Sequence, residues 1–197
     1  MADDNKLKFE LLGDLQTVLH TPIFDVVDEN KKAPNGKNGT YVKIKAPNWV
    51  SAIVTRTFAD YNERFVMTAQ YRHGVNKVME EFPCGMVEEG ESPLDAILRE
   101  CEEEIGLDRS KILQIRKLYE ANPNPAFMDN KMTCYYIEVE GFCRQQQNLD
   151  ENEFIEVRYR TDSQVENIMS SPDTSVMMKY AWEKYKKILE ENNYDGF

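Results

Sequence analysis

Glu100, Glu103 and Glu104 follow Arg99 at a spacing that matters only on a helix. At about 100° per residue, Leu94, Ile97, Leu98, Cys101 and Ile105 form one apolar stripe, while the three glutamates share a separate arc about 100° wide. Like charges one turn apart repel, and carboxylates in a last helical turn oppose the negative end of the helix dipole. The arrangement costs stability unless a cation sits there, and Arg99 neutralises only part of it. Hard divalent cations take oxygen ligands, and Mg2+ is typically held by one or two carboxylates plus substrate phosphates. From spacing alone two readings stand: a solvated acidic helix face, or a divalent-cation site that handles phosphates.

The elements that must position these groups are also legible. Ser92 is an N-cap, Pro93 suits the first helical position, Asp95 lies near the positive dipole end, and Gly106 can close the helix in the left-handed conformation. The predicted helix therefore runs from Pro93 to Ile105. Upstream, Val50–Thr55 and Arg64–Arg72 read as antiparallel strands joined by a turn at Asp60–Glu63, and Val78–Gly85 leads into the acidic segment. Downstream, Ile112–Glu120 and Lys131–Val139 read as strands. The loop between them, Ala121–Asn130, carries two prolines and Phe127, and long loops of this kind are often functional. An acidic loop, Asp150–Glu153, runs into a final strand ending near Tyr159. A short helix follows Asp162–Ser163, and a last one, capped at Thr174 or Ser175, extends to Glu190. In that helix Met177, Tyr180, Ala181, Tyr185, Ile188 and Leu189 share a face and read as core packing.

The first ten residues are polar and read as frayed. Thr17–Val27 is strand-like, interrupted by Pro22, and after the turn-rich Ala33–Gly39 a second strand covers Thr40–Lys45. This predicts a β-hairpin, and a hairpin is marginal alone. His20 on that segment reads as structural.

With 197 residues and 41% hydrophobic content, the chain supports one domain with a real core plus an N-terminal extension, divided at residues 46/47. A net charge of -11 and a pI near 4.8 argue against a nucleic-acid surface, and no basic run suggests an anionic membrane. No signal peptide or membrane-length apolar run is evident, so the expectation is a cytoplasmic protein. Cys84, Cys101, Cys134 and Cys143 lack zinc-type spacing and read as reduced packing residues.

Read in full, the stretch from Gly85 to Leu107 resembles the Nudix box: Gly85, five residues, Glu91, seven residues, Arg99-Glu100, an apolar position, any residue, Glu103-Glu104, any residue, Gly106 and an apolar residue. Every fixed position is satisfied, and Cys101 fills a slot where the family more often has an aliphatic residue. The resemblance implies an α+β fold, the Nudix α/β/α sandwich with a mixed sheet. It also implies an enzyme that hydrolyses a small-molecule nucleoside diphosphate derivative with Mg2+ or Mn2+. It sharpens toward the ADP-ribose pyrophosphatase branch through Gln70-Tyr71-Arg72, Glu81-Phe82-Pro83-Cys84-Gly85, the proline pair after Gly106, and Asp150-Glu151-Asn152-Glu153. In that branch the N-terminal hairpin helps build a homodimer. The resemblance assigns metal binding to Glu100 and Glu104, with Glu103 binding metal or orienting its water and the Cys84 carbonyl as a further ligand. Arg99 and Glu91 become a supporting ion pair. A base is still needed, and Glu151 or Glu153 can supply it from their loop. Arg72 suits phosphate or the terminal ribose, Trp49 can stack on the base or anchor the core, and Glu81 and Phe127 complete the candidate substrate contacts. Two rivals stand: a Nudix hydrolase of another nucleotide sugar or a dinucleotide, and a non-catalytic nucleotide sensor of the same family, against which the intact glutamates argue.

Overall fold

The computed structural model describes residues 4–57, 64–141 and 146–194, with side chains described up to residue 191. Two compact units are present, one formed by the chain up to Pro47 with Asn122–Lys131, the other by Asn48–Ala121 with the rest of the chain from Met132.

The first unit is a four-stranded antiparallel sheet of β1 (Glu10–Leu11), β2 (Gln16–His20), β3 (Asp25–Lys32) and β4 (Asn38–Lys45). β3 is central: β1 and β2 share one of its edges, and β4 pairs along the other from Asp25↔Lys45 to Lys32↔Asn38. The predicted hairpin is therefore incomplete. Pro22 separates two strands instead of interrupting one, because Thr21–Phe24 form a turn in which the Thr21 hydroxyl donates to the Phe24 carbonyl at 2.6 Å. The segment expected to fray contributes β1, and Asp4–Leu7 form a short 3-10 helix. Among the described residues of this unit only Val27, Glu29 and Asn130 are buried, whereas Leu7, Leu11, Val18, Leu19, Ile23 and Val42 are exposed. Glu29 is held below the usual carboxylate range by hydrogen bonds from Lys31 and Lys43.

The larger unit is a seven-stranded mixed sheet between helices. Its strands are β5 (Trp49–Thr57), β6 (Phe65–Arg72), β7 (Lys77–Glu81), β8 (Cys84–Met86), β9 (Ile112–Ala121), β10 (Met132–Glu140) and β11 (Glu156–Arg160). Its helices are α1 (Pro93–Ile105), α2 (Asp162–Ser170) and α3 (Val176–Tyr194). The path runs β11-β6-β5-β10-β9, with β5 and β10 parallel and every other pairing antiparallel. The strands β5 and β6 pair only at Val54↔Val66 and Thr55↔Phe65, then fork; β8 continues against β5 and β7 against β6. That fork delivers β8 to the helix carrying the glutamates. The turn expected at Asp60–Glu63 lies outside the described residues.

Because β5 is covered on both faces, it reads as a continuous buried run instead of an alternating one. Val50, Ala52 and Val54 face α1, packing with Ile97, Cys101 and Ile105; Ile53 faces the other way, with Phe65, Trp182 and Tyr185. On α3 the buried face is Met178, Ala181, Trp182, Tyr185 and Ile188, while Tyr180 is 42% exposed, so the apolar stripe is rotated from the predicted one. The helix α1 has the expected ends: the Ser92 hydroxyl accepts from the Asp95 amide, and Gly106 (φ 63°) donates to the Glu102 carbonyl while Leu107 donates to Cys101.

Candidate active site

Helix periodicity puts three glutamates on one arc, but the sheet gives each a different environment. Glu104, nearest the core stripe, is 4% exposed and accepts a hydrogen bond from the Cys84 amide of β8 at 3.1 Å. Burial, reinforced by the neighbouring Glu100 charge, pushes its pKa up to about 8. Glu100 is also shifted up, mainly by burial and secondarily by Glu103 and Glu153. Its carboxylate lies against Gly85, where an added Cβ would fall 2.0 Å from Cδ and Oε1. Only glycine leaves that space to the carboxylate. Glu103, at the rim, keeps a third of its side chain exposed.

Arg99 binds this cluster together. Its Nε and Nη2 donate to Glu91 Oε1 and Oε2, both at 3.1 Å, and Nη2 also donates to the Met86 carbonyl at 3.0 Å. Its Nη1 donates to Glu100 Oε1 and Glu103 Oε2, each at 3.0 Å. The anticipated Arg99–Glu91 pair therefore exists and fastens the loop before α1 to the helix. Among the described residues no three His, Cys, Asp or Glu groups converge at metal-ligand geometry. The cation that the structure shows between Glu100 and Glu103 is the Arg99 guanidinium. The donor set nevertheless fits a hard divalent ion: it is all oxygen, one carboxylate is buried with its proton held up, and a glycine yields space to another.

A cavity of about 240 Å³ opens onto Glu100 and Glu103, lined also by Met86, Glu88, Arg99, Asn148, Asp150 and Glu153. Glu153 thus faces the helix carboxylates from the acidic loop, whereas Glu151 does not line the cavity. Glu153 Oε2 accepts from the Asp150 amide at 3.2 Å, and the Glu153 amide donates to the Asp150 carbonyl at 2.9 Å, closing a tight turn. A larger cavity of about 840 Å³, lined by Thr55, Arg64, Asp162 and Tyr185 among others, holds none of the candidate residues. Chemistry, not volume, selects the smaller one.

The other candidates are dispersed. Arg72 donates through Nε to Glu81 Oε2 at 2.5 Å and through Nη2 to Cys84 Sγ at 3.2 Å, so its fork is engaged with the strand next to the site. Burial pushes the Cys84 thiol well above its ordinary pKa, which disfavours the thiolate. Trp49 leans on the core cluster shared with Met132 and Trp182. Phe127 belongs to the N-terminal unit, where it lines a cavity of about 390 Å³ with Phe9, Tyr41 and Lys43. Cys101 and Cys134 are buried cysteines outside any disulfide, and Cys143 lies outside the described residues. Sequence reasoning missed Gln147 and Asn148, which tie the acidic loop to α1; their signal is a contact across more than forty residues, invisible to local pattern.

The Glu104 shift carries a stability consequence. The folded protein holds that proton up to about pH 8, whereas an unfolded carboxyl releases it near 4.5. Stability of the chelator-treated protein should therefore fall as pH rises from about 5 to 8, by several kcal/mol. Glu104→Gln removes the charge but keeps an acceptor for the Cys84 amide. Thermal melts in EDTA should show this variant gaining on wild type between pH 5 and pH 8; a constant difference across that range would exclude the assignment.

No helix among the described residues is long and apolar enough to cross a membrane. The NUDIX domain model matches residues 48–180. The chain is similar to the ADP-ribose pyrophosphatase of Bacillus subtilis, at 30% identity over 135 residues, covering 68% of this chain and 69% of that protein. It is also similar to the methanol dehydrogenase activator of Bacillus methanolicus, at 29% over 129 residues, covering 66% of each. A solved structure described as an ADP compounds hydrolase superposes with a TM-score of 0.72 at 18% identity, covering 94% of this chain and 96% of that one, which speaks to the fold. With the domain model matching more than half of the chain and the box glutamates gathered beside Gly85 and β8, the chain belongs to the Nudix family of hydrolases.

Proposed function

We propose that the chain hydrolyses the diphosphate linkage of ADP-ribose or a related ADP-sugar, giving AMP and a sugar phosphate. The observation that carries the reading is the meeting of Glu100 and Glu103 with Glu153 around one cavity, above the buried Glu104. The ADP-ribose specificity is supported by the 30% identity to a pyrophosphatase of that name. Glu100, Glu103 and Glu104 would hold a divalent cation, Mg2+ or Mn2+, with the Cys84 carbonyl beside them. When bound, such an ion supplies charge neutralisation to the diphosphate and Lewis acidity.

The chain's own residues do the rest. Arg99 holds Glu91, Glu100 and Glu103 in one bonded set, which ties the helix to its leading loop. Glu153, projecting into the cavity, accepts the proton of the water that attacks phosphorus as one P–O bond of the linkage breaks. Glu151 is the alternative base. Arg72, with Glu81 beside it, contacts substrate oxygens, and Trp49 and Phe127 are the aromatic candidates for the base. The test is a panel of nucleoside diphosphate derivatives assayed with Mg2+ and after EDTA treatment, with products separated by chromatography. AMP and ribose 5-phosphate as the leading products support the reading; preference for a dinucleotide or a non-adenine sugar replaces it.

Residues 1–46, joined in their compact unit by Asn122–Lys131, act as an assembly unit, and the rest of 47–197 as the catalytic domain. The exposed apolar side chains of the N-terminal sheet support a homodimer, since a sheet with Val27 as its one buried large aliphatic residue among those described gains little stability alone. Light scattering should give twice 23.0 kDa at micromolar concentration, and a monomer mass would remove the dimer. Cys84, Cys101 and Cys134, none of them in a disulfide, suit a reducing compartment such as the cytoplasm.

A further inference from the structure

The last four carbonyls of an α-helix have no partner within the helix. In α1 the Glu102 carbonyl is taken by Gly106, and the next two are taken by the loop that carries Glu153: the Asn148 amide donates to the Glu103 carbonyl at 3.0 Å, and Gln147 Nε2 donates to the Glu104 carbonyl at 2.6 Å. The same Nε2 donates to the Ile155 carbonyl at 3.2 Å. A primary amide has two hydrogens, and both have acceptors here. One side chain thus joins three points: the backbone of Glu104, the start of the acidic loop and its far end. Ile155 is buried and anchors that far end, while residues 150–154 are exposed. Within the excursion the Asp150–Glu153 turn fixes Glu153 locally.

We propose that Gln147 is a positioning residue for the hydrolysis: its amide staples both ends of the 148–154 loop to the carbonyl of Glu104, and so sets where the Glu153 carboxylate stands relative to Glu100 and Glu103. The proposal rests on the reading of Glu153 as the base. It assigns Gln147 no contact with substrate. Groups that support a catalytic side chain in this way typically cost 10- to 100-fold when removed, and a shift of about 1 Å suffices.

The test uses Gln147→Leu, which keeps the volume of a half-buried side chain and removes both donors, with Gln147→Ala as a second variant. Hydrogen exchange by mass spectrometry reads the staple without activity: peptides covering 148–155 should exchange roughly tenfold faster or more, and peptides within 93–102 should not change. Turnover of ADP-ribose should fall roughly 10- to 100-fold with KM within about twofold of wild type. In a Glu153→Gln background the same substitution should cost less than about threefold, because the group it positions is already disabled. Equal losses in both backgrounds, or unchanged exchange of the loop, overturn the proposal. Faster exchange in α1 as well would also overturn it, since Gln147 would then be a general structural support. A wild-type chain that leaves ADP-ribose intact sinks the substrate reading instead, and the exchange measurement still decides the staple.

Discussion

Glu103→Gln is expected to lower turnover by roughly 100-fold or more while leaving the melting temperature within a few degrees of wild type. The side chain is partly exposed and contributes nothing to either core cluster; its recorded contact is with Arg99 Nη1, to which a Gln oxygen can still serve as acceptor. Its loss is therefore a loss of charge at the rim of the cavity. Phosphoryl chemistry depends on charge neutralisation and positioning, so one missing carboxylate should be felt in kcat more than in KM. Steady-state kinetics with Mg2+ titrated from micromolar to millimolar, paired with circular dichroism melts, separates the two. Turnover near wild type would remove Glu103 from the metal assignment.

The second large effect should come from a methyl group. Gly85 lies in β8, paired with Val50, and its backbone is in a conformation open to any residue, so Gly85→Ala tests space alone. An added Cβ would sit 2.0 Å from Glu100 Cδ and Oε1 and 2.5 Å from Oε2. The carboxylate must leave, losing the Arg99 Nη1 bond and its place at the cavity. Misplacement by about 1 Å can cost 100-fold in rate, and overpacking of this kind costs about 1–3 kcal/mol. Gly85→Ala should therefore abolish most activity and lower stability moderately. Placed on a Glu100→Ala background, the same methyl should cost little stability, because nothing occupies its space. A stability cost equal in both backgrounds would show that the methyl meets something other than Glu100.

The helix α1 was legible from sequence to the residue at both ends. Its determinants are local: a serine acceptor, a proline at the first turn, a glycine that can turn left-handed, and an apolar period of 3.6. The box spacing carried the family for the same reason, since a helix and its flanking loop fix one another over some twenty residues. Most strands of the larger unit followed from composition and alternation, whereas the N-terminal pattern hid β1 and the division of β2 from β3 at Pro22. What periodicity cannot state is which face meets which neighbour. The three glutamates share one arc on the sequence, yet only the packing of α1 on β5 and β8 buries Glu104, presses Glu100 onto Gly85 and leaves Glu103 at the rim. The parallel alignment of β5 with β10, and the fork that admits β7 and β8, are likewise decided by contacts between distant segments. Between Glu151 and Glu153 the sequence offered two equivalent carboxylates; the Asp150–Glu153 turn and the Gln147 staple turned one of them toward the helix. Local patterns record which conformations a segment favours, and the energy that selects among partners comes from burial and hydrogen bonding that exist only once the chain has closed on itself.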